Sequence, residues 1–181
     1  TVTVINANAA QRVYLSGAPG ATLVARKPFG VIAGMKNTGT TTWTLAGGYK
    51  WQSQNPAGNT LWGPAHVSLS STEAVAPGGT RYFSAALVAP ATPGTYSLQY
   101  RMAKDGLGAF GEYGLNQSVT VVADTVPPTT PASPALSAAS TGTLKFSWGT
   151  ATDNAAVAYY VIDVSTDPAF ALPWPGHNGL N

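Results

Sequence analysis

The chain has 181 residues, of which 44% are hydrophobic and only 9% charged, with a formal net charge of +2. That apolar share can build a packed core, and the length suits one full domain plus a smaller one, or two compact ones, at roughly 100–150 residues per domain. Nine scattered Lys and Arg residues, with Arg26-Lys27 the sole adjacent pair, leave no basic stripe for nucleic acid, and the lack of cysteine excludes disulfides, thiol nucleophiles and Cys-based metal sites.

The first element is a valine-rich strand, Thr1-Val2-Thr3-Val4-Ile5, which echoes Ser118-Val119-Thr120-Val121-Val122. It reads either as an extra edge strand or as a strand that adds to a neighbouring subunit's sheet. No basic region precedes it, so the chain is expected to open at a mature or internal start of an exported protein. No run of about 18 apolar residues occurs, and no membrane-spanning helix is expected.

Val31, Ala33 and Met35 alternate along one strand face, followed by the turn Asn37-Thr38-Gly39. Tyr49 and Trp51 share the face of another strand and, with Trp62, bracket a polar loop from Gln52 to Thr60. Pro77-Gly78-Gly79 precedes a strand with Phe83, Ala85 and Leu87 on one face. After Pro93-Gly94, Tyr96, Leu98, Tyr100 and Met102 oppose Ser97, Gln99 and Arg101. Asp105-Gly106 turns a hairpin, Lys104 to Phe110, whose tip carries Leu107, and a closing strand is predicted over Gln117–Ala123. Helical periodicity is absent throughout. Short alternating strands with Gly/Pro corners predict a β-sandwich.

Residues 125–134 carry four prolines in Val126-Pro127-Pro128-Thr129-Thr130-Pro131-Ala132-Ser133-Pro134, the signature of a semi-rigid linker. Beyond it, Leu144, Phe146 and Trp148 alternate inward on one strand, Asp153-Asn154 marks a loop, and Val157 to Val164 forms an apolar strand. About 47 residues follow the linker, few for an independent sandwich. The expected division is residues 1–8 as an extension, 9–124 as a sandwich, 125–134 as linker and 135–181 as a partial module. A partial module would expose open edges and a bare apolar face, so the chain is expected to be a fragment or to receive strands from another chain.

Chemistry is sparse. His66 and His177 are isolated, and neither sits in a ligand motif. Glu112 and Asp105 flank one hairpin, which favours a structural role over a glycosidase pair. Gly-x-Ser-x-Gly does not occur, and Asp153-Asn154 is too sparse for a calcium loop. No enzyme activity, cofactor or metal is expected. The candidate binding residues are Tyr49, Trp51, Trp62 and Leu107, because flat aromatic faces and apolar tips suit sugar rings and partner side chains. Trp43 and Trp62 are expected in the core, and Trp51 is open to either placement.

Residues 9–123 resemble the Ig-like four-tryptophan domain found in eukaryotic autophagy cargo receptors and in bacterial secreted proteins. The likeness rests on Met35-Lys36-Asn37-Thr38-Gly39-Thr40-Thr41-Thr42-Trp43, Ser53-Gln54-Asn55-Pro56, Asn59, Trp62-Gly63 and Val75-Ala76-Pro77-Gly78. It continues through Ala89-Pro90, Pro93-Gly94-Thr95-Tyr96, Arg101-Met102, Asp105-Gly106 and Phe110-Gly111. Ala33 and Tyr100 stand where signature tryptophans would, and Trp51 is additional. Residues 131–170 are similar to the front half of a bacterial fibronectin type III module, through Phe146-Ser147-Trp148, Ala151-Thr152-Asp153-Asn154 and Tyr159-Tyr160-Val161-Ile162-Asp163-Val164-Ser165.

The resemblance implies an all-β chain: an immunoglobulin-like β-sandwich joined by a Pro-rich linker to a partial fibronectin III-like module. It implies a non-catalytic structural or adhesive segment of a secreted or cell-surface bacterial protein, contacting a protein partner or itself. Strand exchange through residues 1–5 and the incomplete C-terminal module would be one route. The alternative is an accessory carbohydrate-binding module of a larger extracellular hydrolase, with polysaccharide as partner. Neither nucleic acid nor membrane insertion is expected.

Overall fold

A computed structural model of the chain describes residues 6–140, 143–162 and 169. Contacts divide it into two units, Thr1–Asp124 and Thr125–Asn181. The predicted strand Thr1–Ile5, His177, Asp163 and Asp167 lie outside the described residues.

The first unit is built from strands β1 (Ala10–Ser16), β2 (Thr22–Val24), β3 (Pro28–Asn37), β4 (Trp43–Thr44), β5 (Tyr49–Ser53), β6 (His66–Ser68), β7 (Ala74–Val75), β8 (Thr80–Val88), β9 (Gly94–Lys104) and β10 (Gly108–Val122). One sheet has the order β1-β3-β8; the other has the order β2-β10-β9-β5-β6. A two-stranded ribbon, β4-β7, stands beside them. All pairings in the first unit are antiparallel except β2 with the end of β10, Thr22–Val24 against Thr120–Val122. The chain thus passes from one sheet to the other between β1 and β2.

The inner faces follow the period of two in the sequence. Val31, Ala33 and Met35 of β3 and Phe83, Ala85 and Leu87 of β8 are buried against Leu98, Tyr100 and Met102 of β9 and Leu115, Val119 and Val121 of β10. Three aromatic groups run through this core. Trp51 lies 4.6 Å from Tyr100 and 6.1 Å from Phe83, ring centre to ring centre, which ties β5 to the opposite sheet. Trp43 and Phe110 flank Tyr49, each at 6.1–6.3 Å. Phe29 and Tyr96 flank Trp62 at 6.1 and 6.3 Å, edge-on. Such offset and T-shaped pairs are the favoured aromatic geometries.

Asn37 is the main buried polar residue of the core. Its Nδ2 donates to the Thr41 carbonyl at 2.8 Å and the Val75 carbonyl at 2.9 Å, and its Oδ1 accepts from the Gly39 amide at 3.1 Å. The turn signal in the sequence is therefore also the rivet between β3 and the β4-β7 ribbon. The predicted closing strand, Gln117–Ala123, is the last part of a longer one, β10, whose register shifts twice between Phe110 and Leu115. Gly111 takes a positive φ of 72° there, and a Cβ on it would come within 2.5 Å of Ala10 Cβ. The bulge lets β1 approach β10.

The second unit contains one hairpin, β11 (Ala135–Ser140) with β12 (Thr143–Ser147). Two expectations fail here. Residues 157–162 of the predicted strand Val157–Val164 carry no strand pairing; 163–164 lie outside the described residues. Leu144, Phe146 and Trp148 do not turn inward: they are 58%, 40% and 39% exposed. Alternation puts residues on one face but does not supply a second layer to cover it. The proline-rich stretch is not a free spacer beyond Thr129 either. The Thr129 amide donates to the Thr152 carbonyl and the Thr152 amide to Thr129 Oγ1, both at 2.8 Å. Gly149 also donates to the Ala132 carbonyl at 2.6 Å.

Candidate functional site

Three of the four candidate binding residues are core residues. Trp51 is 0% exposed, and Tyr49 and Trp62 are buried with it. None of them can offer a ring face to a ligand, which corrects the expectation for Tyr49, Trp51 and Trp62. The physical reason is that the face shared by Tyr49 and Trp51 is the face that the opposite sheet covers. Their polar atoms also point to the fold: Tyr49 Oη donates to Asn8 Oδ1 at 2.6 Å, and Trp62 Nε1 to the Ser97 carbonyl at 3.0 Å. Leu107 does sit at the hairpin tip, 56% exposed, with its amide turned back to the Lys104 carbonyl at 3.1 Å.

The polar loop between Trp51 and Trp62 is a braced one. Asn59 Nδ2 donates to the carbonyls of Gln54 and Pro56, and Ser53 Oγ to those of Asn59 and Ala65. The acids are spread out. Asp105 pairs with Lys50, Glu73 with Arg81 at 2.5 Å, and Glu112 Oε2 accepts the Arg12 amide at 3.0 Å. His66 lies exposed on β6. Among the described residues no group of three His, Cys, Asp or Glu side chains converges on a metal-sized space. Nor is any helix among them long and apolar enough to cross a membrane.

In the two main sheets of the first unit the outer strands are short or have part of their edge covered. β2 and β6 are three residues long. On the β8 edge, Arg81 Nη1 donates to the Tyr82 carbonyl, and the Val88 amide donates to the Trp62 carbonyl at 2.8 Å. On β1, Glu112 takes up the Arg12 amide. These are the usual protections against strand addition.

The two outer faces differ in chemistry. Across β1-β3-β8 the outward residues include Tyr14, Ile32, Tyr82 and Val88, all exposed. Tyr14 and Tyr82 meet edge-on at 5.7 Å over Gly34, which has no side chain to separate them. Across β10-β9-β5-β6 the outward residues include amides and hydroxyls around Arg101, together with Lys50, His66 and Tyr113. That set was visible in the sequence as Ser97, Gln99 and Arg101, opposite the apolar face of β9.

Two facing sheets, with the chain crossing between them at β1 and β2 and a parallel β2-β10 closure, define an immunoglobulin-like β-sandwich. The family model described as "Ig-like domain from next to BRCA1 gene" matches residues 18–132, and the chain belongs to that family. Among curated proteins no match is found.

Proposed function

We propose that the chain is a non-catalytic structural or adhesive segment of a secreted or cell-surface bacterial protein, and that it acts by face-on contact with protein, including a second copy of itself. In this reading the sandwich is of the bacterial four-tryptophan type and is followed by the front part of a fibronectin type III-like module. The observation that carries the contact is the outer face of β1-β3-β8, where Tyr14, Ile32, Tyr82 and Val88 are exposed on one surface. Exposed contiguous apolar surface rimmed by polar residues marks interaction sites. Blunted edges favour contact through a face over strand exchange. Sedimentation velocity over a concentration series tests the self-contact. The expected result is mass rising with concentration in the natural chain and monomer throughout in Tyr82→Lys; identical behaviour of the two would refute it.

A second reading is supported by the other face. An accessory carbohydrate-binding module of a larger extracellular hydrolase would present hydrogen-bonding side chains on an open sheet face, as β10-β9-β5-β6 does. Retardation of the chain in a gel containing soluble polysaccharide, against a plain gel, tests it.

A further inference from the structure

We infer that the outer face of the five-stranded sheet binds an acidic polysaccharide, with Arg101 holding a uronate carboxylate. The inference rests on the carbohydrate-binding reading and names its site and ligand class. Arg101 projects outward from β9, between the inward Tyr100 and Met102. Its guanidinium lies over the Tyr113 ring at 5.1 Å, and its Nε donates to the Gly111 carbonyl at 2.6 Å. Those two contacts constrain the plane of the group and use Nε, so the two Nη atoms remain as the fork that a carboxylate can meet end-on. No carboxylate meets Arg101 among the described residues. A planar fork held in place is the arrangement that binds a carboxylate with two parallel hydrogen bonds.

The surroundings match a sugar better than a peptide. Gln52 of β5 is in register with Arg101, and His66 of β6 with Gln52. One row further along β9, Gln99 Nε2 donates to Asn116 Oδ1 at 2.8 Å. Ser97 with Ser118 and Thr95 with Thr120 continue the ladder. Successive outward rows are about 7 Å apart, so the platform from Arg101 to Thr95 runs about 20 Å, the length of several sugar rings. Amides and hydroxyls both donate and accept, as sugar hydroxyls do. The outward positions of β9 and β5 carry none of the large exposed apolar side chains that anchor protein partners. Charge agrees: Lys50 is balanced by Asp105, Glu112 is turned to the Arg12 amide, and the Arg101 charge remains for an anion.

Affinity electrophoresis of the full chain in gels containing polygalacturonate, neutral dextran or poly-glutamate tests the assignment. Polygalacturonate is expected to retard the natural chain. Arg101→Gln should weaken that retardation at least tenfold, and Arg101→Lys partly, because the charge survives but the fork does not. Gln99→Ala leaves the Arg101 contacts intact and should weaken it several-fold, which keeps the test valid if loss of the Gly111 contact unfolds Arg101→Gln. Retardation by dextran alone would overturn the acidic ligand while sparing the carbohydrate reading. Retardation by neither polysaccharide would overturn both. Equal retardation by poly-glutamate, or an unchanged Gln99→Ala, would overturn the sugar site.

Discussion

Gly114 of β10 leaves room for the Trp51 indole: a Cβ added at Gly114 would come within 2.5 Å of Trp51 Nε1 and 3.0 Å of Met35 Sδ. The indole fills the space between the sheets because β10, one strand beyond β9, withholds a side chain there. Gly114→Ala is therefore expected to overpack the core and to cost about 1–3 kcal/mol. Urea denaturation followed by tryptophan fluorescence measures it, and a midpoint equal to that of the natural chain would contradict the packing.

Removing the indole should cost more. Trp51→Ala loses the stacking on Tyr100 and Phe83 and leaves a cavity, which should cost about 3–5 kcal/mol. Leu107→Ala, at an exposed tip, should stay within about 0.5 kcal/mol. Thermal unfolding of the two variants side by side checks the contrast. Any loss of ligand binding in Trp51→Ala would then reflect loss of the fold.

Asn37 carries a different kind of stability. It is fully buried, and its side chain serves two carbonyls and one amide. Asn37→Ala would strand the carbonyls of Thr41 and Val75, at roughly 3 kcal/mol for the set. The expected result is a lower denaturation midpoint and faster hydrogen exchange confined to β4 and β7 before the rest of the sandwich. Uniform exchange would argue against the local rivet.

The inward sets of β3, β8 and β9 were legible because apolar residues recur at every second position and both sheets are long enough to show it. Tyr49 and Trp51 were equally legible as neighbours on one face. That their face lay inside was not settled, because flat aromatic faces also suit ligands and the covering sheet comes from β3 and β8, distant in sequence. Alternation alone also misplaced Leu144, Phe146 and Trp148, which stay 39–58% exposed although Tyr160 reaches Trp148 at 5.5 Å. Asn37 could be read as a turn residue, but its burial depends on β4 and β7 folding back over it. The outward row of Ser97, Gln99 and Arg101 is readable in the sequence as the polar half of an alternating strand. Its partners Gln52, Tyr113 and Asn116 become neighbours only through sheet order.

The protections at the sheet edges should be measurable. Arg81 covers the Tyr82 carbonyl and is itself anchored by Glu73, whose carboxyl is held below its usual range by the Ser70 backbone amide and, less strongly, by Arg81. Arg81→Ala and Glu112→Ala each expose part of an edge and are expected to raise light scattering on prolonged incubation, without a change in the far-ultraviolet spectrum at the start. Because the folded-state pKa of Glu73 is depressed, its anchoring is present above the ordinary carboxylate pKa and is lost as pH falls through the lowered value. Scattering of the natural chain should therefore rise at the acid end and approach that of Arg81→Ala.

At the alkaline end the controlling group is Tyr100. Its hydroxyl donates to the Pro64 carbonyl at 2.6 Å, and burial pushes its pKa up to about 12. The unfolded chain would ionise this phenol near 10, so the folded state alone keeps the proton between those values. A raised folded-state pKa means that the contribution to stability is full below about pH 10 and fades as pH climbs toward 12. Tyr100→Phe removes the ionisation but leaves the Pro64 carbonyl without its donor, at about 1 kcal/mol. The variant is thus expected to be slightly less stable at pH 7 and to lose less between pH 10 and 12 than the natural chain. Urea midpoints at the three pH values decide it: parallel declines for the two proteins would remove Tyr100 as the alkaline trigger.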